Sequence, residues 1–236
     1  EKEILEYLIK SGGVVDLVVV TLLRVNSGST KEYLGKALFN LLCRSEFRSN
    51  LIEVDVLEAL TELGKIDNLE LLDLCVRSVY NISCEVQKFG EKMLELRLVD
   101  MLCARAAGSP HIAGYKANNN VKLVCGKALA NMSFNSSLAM NIANCENTAD
   151  ALHSINNIQN EESIYTISVI AFNVSFLSKC TSLADTSVVP ILVNIIKTGS
   201  VLCVQLCVAA LTNFSLYKVY HPQLTVVAIA PLIQST

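Results

Sequence analysis

Apolar residues recur at three- and four-residue spacing through most of the chain, and polar stretches interrupt them at regular intervals. The interruptions read NSGS (26–29), DNLE (67–70), NNN (118–120), QNEE (159–162) and GS (199–200). They are rich in turn and capping residues, so each predicts the start of a helix. The spacing that follows predicts a long helix rather than a strand, and the five long helices end near residues 44, 85, 135, 177 and 217. Upstream of each interruption lies a second apolar helix: VVDLVVVTLL (14–23), VDVLEALTEL (54–63), LVDMLCARA (98–106), TADALHSI (148–155) and VVPILVNII (188–196). A short connecting helix is expected before these, as at FRSNLI (47–52) and LAMNIAN (138–144). IAPLIQ (229–234) opens a sixth unit, with Pro231 standing where Pro190 stands one unit earlier.

Against this apolar pattern each long helix carries one asparagine: ALFNLLC (37–43), SVYNISC (78–84), ALANMSF (128–134), IAFNVSF (170–176) and ALTNFS (210–215). Burying an amide without partners costs about 1–3 kcal/mol, so five in one setting ask for a common cause. Asn40, Asn81, Asn131, Asn173 and Asn213 are 41, 50, 42 and 40 residues apart. A period of this size marks a helical solenoid with two or three helices per unit. The longer step comes mainly from GSPHIAGYKANNN (108–120), an enlarged surface loop of the kind chains tolerate cheaply and often use. Positions four and eight before each asparagine share its helix face. Four before stand Lys36, Arg77, Lys127, Val169 and Ala209; eight before stand Glu32, Asp73, Leu123, Tyr165 and Gln205.

Three helices per unit, a short one first, with (A/S/I)-(L/V/A)-x-N-x-(S/L) in the long third helix, resemble the armadillo repeat family. GGVVDLVVVTLL is similar to that family's Gly-rich lead into its second helix. The resemblance spans essentially the whole chain and implies an all-α, right-handed armadillo-type α-solenoid superhelix, a single array over 1–236. It also implies that the long helices line a concave side, where the asparagine ladder bonds the backbone of an extended peptide. An alternative use is structural: each amide bonds main-chain groups of the neighbouring unit and holds the stack together. Importin-α-like members carry a Trp four residues before this asparagine, whereas this chain has no Trp. Lys36, Arg77 and Lys127 stand there, and helices about 10 Å apart against a chain rising about 3.3 Å per residue give roughly three ligand residues per unit. A ligand with acidic residues at that spacing suits them, in the manner of β-catenin-like grooves; ion pairs with Glu32 and Asp73 are the competing use. The expected binding face is therefore Lys36, Asn40, Arg77, Asn81, Lys127, Asn131, Tyr165, Asn173 and Asn213.

Charge then divides the chain. Residues 1–106 hold 30 of its 41 charged side chains, so the remainder, with Tyr165, Val169, Phe172, Leu177 and Tyr217, is expected to line a neutral, partly aromatic groove. A net charge of −3 argues against a nucleic-acid partner. The longest apolar run, 14–23, is too short for a membrane span. Nine cysteines, none in CxxC, mostly within apolar helical stretches (Cys43, Cys75, Cys84, Cys103, Cys125, Cys203, Cys207), read as reduced thiols acting as small hydrophobes. That points to an intracellular, cytoplasmic protein, with nucleus, cilium or flagellum as further settings. The N-x-S triplets at Asn81, Asn131, Asn173 and Asn213 fall in helices and read as a by-product of the repeat, not as glycosylation sites.

No phosphate loop, HExxH, GxSxG or paired carboxylate motif appears, and His111, His153 and His221 stand apart from any nucleophile motif. Neither a catalytic residue, a metal site, a cofactor nor a small-molecule substrate is expected. Without an initiator Met, and with repeats cut at both ends, the chain reads as excised from a longer protein. The functional expectation is a non-enzymatic protein–protein scaffold or adaptor that binds an extended, partly acidic peptide along the Asn-lined groove. Its alternative is a structural subunit packed against neighbours in a large assembly, such as a cytoskeletal or flagellar complex.

Overall fold

The computed structural model describes residues 7, 13–44, 56–64, 68–108, 118–177, 183 and 188–229. Every regular element among them is helical. The chain divides into two compact units, Glu1–Leu98 and Val99–Thr236.

In the first unit, α1 (Gly13–Arg24) and α3 (Val56–Gly64) are the second helices of their repeats. The long helices are α2 (Gly28–Leu42) and α4 (Leu69–Ser83), and α5 (Val86–Glu95) is a short connecting helix. Helix α1 packs on α2 and α3 on α4, while α2 lies against α4 and α1 against α3. Two layers result, one of long helices and one of second helices. Leu38, Leu42, Leu60, Leu63, Leu71 and Cys75 fill the space between them and are fully or almost fully buried. Each such aliphatic side chain contributes about 1.5–3 kcal/mol relative to exposure.

The second unit repeats the plan. Helix α6 (Leu98–Ala107) leads into it, α7 (Asn119–Met132), α10 (Glu161–Ser175) and α12 (Val201–Ser215) are long, α9 (Thr148–Asn156) and α11 (Val188–Thr198) are second helices, and α8 (Ser136–Asn144) connects. The long helices pack in series, α7 on α10 and α10 on α12, and α9 and α11 back them. After α12 the chain turns through a short 3₁₀ segment, Lys218–Tyr220, and a four-residue helix, α13 (His221–Leu224). Phe214 and Tyr220, both fully buried, stack there with ring centroids 4.4 Å apart.

The polar interruptions become the helix starts. Asn68 accepts from the backbone N–H groups of Glu70 and Leu71 at 2.9 and 3.1 Å, and Asn118 accepts from Val121 at 2.9 Å. Asn160 accepts from Ser163 at 2.8 Å while the Ser163 side chain answers it, a reciprocal capping box. Ser27 caps α2 through Thr30. Ser200 stands at the N-cap of α12, but its hydroxyl turns to the Cys203 sulfur at 3.3 Å.

The long helices end at 42, 83, 132, 175 and 215, two or three residues short of the expected ends. The reason is local: beyond those residues the backbone tightens to i−3 bonds, Arg44 to Leu41, Glu85 to Ile82, Phe134 to Asn131, Leu177 to Val174 and Leu216 to Asn213. The five second helices and the connecting helix at 138–144 lie where the pattern placed them. The connecting helix expected at 47–52, most of the loop 108–120 and the sixth unit beyond Ile229 lie outside the described residues. No single described helix is long and apolar enough to cross a membrane.

Candidate functional site

Each long helix buries one flank and leaves a stripe of residues at the surface. Aligned on the asparagine, the stripe of α2 runs Glu32, Lys36, Asn40, Cys43, and that of α4 runs Asp73, Arg77, Asn81, Cys84. In the second unit it runs Leu123, Lys127, Asn131, Phe134 on α7, then Tyr165, Val169, Asn173, Phe176 on α10, and Gln205, Ala209, Asn213, Leu216 on α12. All five asparagines thus keep the same place on their helices. Asn40 is exposed and the other four are half-buried, as the face shared at four- and eight-residue spacing predicts. Leu123 and Val169 depart from the expectation, because packing by their neighbours covers both to below a tenth exposed.

What the amides hold is specific. Asn173 donates through Nδ2 to the Ser133 hydroxyl oxygen at 2.8 Å, and Asn213 donates likewise to Ser175 at 2.9 Å. The acceptor is in each case the serine two residues after the preceding unit's asparagine. That serine has already given its own proton away: Ser133 donates to the Ala130 carbonyl at 2.6 Å and Ser175 to the Phe172 carbonyl at 2.7 Å. Ser83 and Ser215 make the same backward bonds, to Tyr80 and Thr212. With its hydrogen committed, the serine oxygen is left to accept, and an amide donor one repeat on fits it. In the first unit, Leu42 occupies the serine position, and Asn81 turns to the Cys43 sulfur at 3.7 Å. The serines of the triplets at Asn131 and Asn173 are therefore half of an inter-repeat lock, a role their reading as a by-product of the repeat missed. Their visible signal was the recurrence of Ser at Asn+2 in four repeats of five.

The basic residues four before the asparagine are also engaged. Lys36 Nζ lies 2.7 Å from Glu32 and 2.8 Å from Glu70 in the first turn of the next long helix. These bonds, with Glu32 the stronger partner, hold the Lys36 ammonium well above its ordinary range. Lys127 repeats the arrangement, with Glu162 in the first turn of α10 at 3.0 Å. Arg77 Nε bonds Asp73 within its own helix at 2.8 Å. The ion pairs weighed for Glu32 and Asp73 form, and Glu70 and Glu162 add inter-repeat partners that spacing along one helix does not reveal. All three cations keep about a third of their side-chain surface exposed, so the pairs are worth little and exchange readily.

Tyr165 is 47% exposed, and with Glu161, Glu162, Ser200, Leu202 and Cys203 it lines a cleft of about 280 Å³ between the first turns of α10 and α12. Three residues after the asparagine the side chain is exposed in every repeat, and in the second unit it is large and apolar: Phe134, Phe176 and Leu216 are 64%, 61% and 74% exposed. Phe172 packs edge-on against Phe176, centroids 4.9 Å apart.

The eight described cysteines are all free thiols. Cys75, Cys103, Cys125, Cys203 and Cys207 are buried in helices as expected, and burial pushes Cys207 up to about 11. Cys43 and Cys84 depart from that reading: both are exposed, because they fall at the C-caps of α2 and α4, past the buried flank. Among the described residues no group of three or more His, Cys, Asp or Glu side chains is arranged to hold a metal ion.

No protein-family model matches the chain, and no curated protein does. Solved structures do. A designed armadillo repeat protein aligns over 93% of this chain and 90% of its own at a TM-score of 0.67 and 17% identity. A computationally designed armadillo repeat protein for modular peptide recognition aligns over 88% of this chain and 84% of its own at 0.69 and 19%. A third, a designed armadillo repeat protein in complex with the peptide (KR)4, covers 89% of this chain and 84% of its own at 0.62 and 19%. At such identities the likeness is one of fold. With helix-by-helix stacking, recurrent asparagines and these alignments together, the chain has an armadillo-like repeat fold.

Proposed function

We propose that the protein is a non-enzymatic interaction scaffold whose long-helix stripe receives an extended peptide of a protein partner. One observation carries the reading most: on α10 and α12 the asparagine spends a single amide N–H on the inter-repeat lock. A second N–H and the Oδ1 acceptor remain on Asn173 and Asn213, the pair of groups that a peptide backbone satisfies. The likeness to designed armadillo proteins, one of them solved with a peptide, supports the same class of partner.

The finer reading is a ligand that is partly acidic. In the first unit Lys36 and Arg77, and in the second Lys127, would exchange their present carboxylates for those of the ligand. Because these pairs are part-exposed, exchange costs little. Charge reversal at Lys36, Arg77 and Lys127 is expected to abolish binding of a Glu-rich extended peptide and leave helical content unchanged. Fluorescence anisotropy with circular dichroism measures both, and undiminished affinity would rule the acidic ligand out. Free thiols at the eight described cysteines support an intracellular setting, and a full count of reactive thiols without reductant tests it.

A second reading is favoured by the exposed apolar side chains of the second unit, Phe134, Phe176, Val201 and Leu216. It makes the chain a subunit packed against a fixed neighbour in a large assembly. The isolated chain would then aggregate, and a monodisperse elution profile would count against it.

A further inference from the structure

Contacts between successive long helices use the same positions each time. A Cβ on Gly126, five before the asparagine of α7, would lie 3.0 Å from Thr166 on α10, and one on Gly35 of α2 would lie 3.1 Å from Leu71 on α4. Ser168, the equivalent residue of α10, bonds Cys207 of α12 at 3.3 Å. Two residues after the asparagine stand Ser133 and Ser175, which accept from Asn173 and Asn213. Gly35, Gly126 and Ser168 are all buried, as are Leu42, Ser133 and Ser175.

On α12 the same positions lie open. Val208, five before Asn213, is 47% exposed, and Ser215, two after it, is exposed. Val201, on the same side of the helix, is 76% exposed. Bulk is not the cause, because Val76 at the matching place on α4 is fully buried. Ser215 has given its proton to the Thr212 carbonyl at 2.7 Å, and no described residue donates to its hydroxyl oxygen. It is the acceptor half of a lock. Helix α2 is open on the opposite side. The positions ten, seven and three before the asparagine, which face the preceding long helix, carry Ser163, Thr166 and Ile170 on α10, all buried. On α2 they carry Thr30, which is exposed, Tyr33, which is 74% exposed, and Ala37, which is half-buried. Asn40 ends this stripe, exposed, and no described residue accepts from its amide. It is the donor half.

Charge allows these two faces to meet. Inside the molecule a base four before the asparagine pairs with an acid in the first turn of the next long helix, Lys36 with Glu70 and Lys127 with Glu162. Were α2 to follow α12, those two positions would hold Ser29 and Ala209, so no charge would be buried there. Lys31 and Glu32 fall outside the α2 stripe by the helical period. Arg44 and Lys218 lie beyond the ends of α2 and α12, exposed, and keep their water. We propose that α12 of one copy of the protein receives α2 of a second copy, with Val208 against Tyr33 and Ala37, and with Asn40 donating to Ser215. The two surfaces differ, so the contact is heterologous and continues beyond two copies, into a ring or a filament.

This rests on the assembly reading above and names the neighbour as a second copy. Sedimentation velocity of the full 236-residue chain is expected to show species larger than dimers as concentration rises. Tyr33→Asp blocks the α2 face and Val208→Asp the α12 face, and each alone should weaken association at least about ten-fold, with circular dichroism unchanged. Asn40→Ala and Ser215→Ala should each weaken it by about two- to ten-fold, and the double variant no more than either. Mixed, the Tyr33→Asp and Val208→Asp variants keep one working contact between them, so they should form a pair that grows no further. Failure of that mixture to pair overturns the proposal. So does association lost with Val208→Asp but untouched by Tyr33→Asp, which would mean that α12 pairs with itself. Association that survives both substitutions and is lost with Phe176→Ser overturns the proposal alone, because the assembly then uses another surface. A monomer at every concentration overturns it and counts against the assembly reading as well.

Discussion

At the scale of single residues, the recurrent asparagine answers a donor–acceptor problem rather than a hydrophobic one. A serine whose proton goes back to its own helix presents only lone pairs, so the next repeat must offer a donor. Asparagine does, whereas aspartate at that place would set acceptor against acceptor. A neutral hydrogen bond of this kind contributes about 0.5–1.5 kcal/mol net, and more is lost if one partner is left buried and unpaired. Asn173→Ala and Ser133→Ala should each destabilise the protein. The double variant should cost less than their sum by about 1 kcal/mol, read from denaturant midpoints in a double-mutant cycle. Strict additivity would mean the contact carries no energy. Half of this lock was legible beforehand: Asn stood out because it broke an apolar pattern. Ser133 and Ser175 recurred in the N-x-S triplets as well, but their acceptor role is set by a helix some forty residues on, and the triplet alone does not show it.

Among elements, close approach of helices is governed by what is absent at their contacts. Gly126 lies in α7 where a Cβ would come within 2.9 Å of Ile155 Cδ1 on α9 and 3.0 Å of Thr166 Cγ2 on α10. Both neighbours are buried: Thr166 is stiff at χ1, and Ile155 Cδ1 can yield only by turning about χ2 inside a packed core. Overpacking of this sort costs about 1–3 kcal/mol, against roughly 1 kcal/mol that alanine gains over glycine in a helix. Gly126→Ala is therefore expected to lower stability by about 1 kcal/mol, the difference between those two terms. Gly28→Ala, with nothing within 4 Å of the added atom, should leave it unchanged or raise it slightly. Thermal unfolding distinguishes the two, and a stabilised Gly126→Ala would show that α7, α9 and α10 are less tightly packed than described. The helix starts were readable because Asn68, Asn118 and Asn160 cap through bonds two or three residues away. The ends were read slightly long, since the 3₁₀ tightening that closes each helix leaves no distinctive residue type behind.

For the molecule as a whole, repetition makes stability a sum of neighbour terms within each unit. In the second unit α12 rests on α10 and α11, and α10 rests on α7. Loss of the lock at Asn213 should consequently loosen α12 and its immediate neighbours first. Hydrogen exchange of Asn213→Ala is expected to rise in α10, α11 and α12 while amides of α7 keep their protection. Uniform acceleration across the unit would instead indicate a single cooperative block. The uneven charge distribution belongs to this scale too. The first unit dresses its stripe with Lys36, Glu70, Asp73 and Arg77 in ion pairs, whereas α10 and α12 present Tyr165, Phe176 and Leu216 to solvent.

That the chain is a helical solenoid, and where its asparagines stand, followed from the chain alone, because each is written in spacings of a few residues or in a period that five copies make unmistakable; the armadillo type followed from the resemblance those motifs carry. Which groups those asparagines bond, which carboxylates neutralise Lys36 and Lys127, and which apolar residues stay at the surface depended on three-dimensional packing. Each is a relation between helices roughly forty residues apart, and local periodicity carries no record of which side of a helix its neighbour will cover.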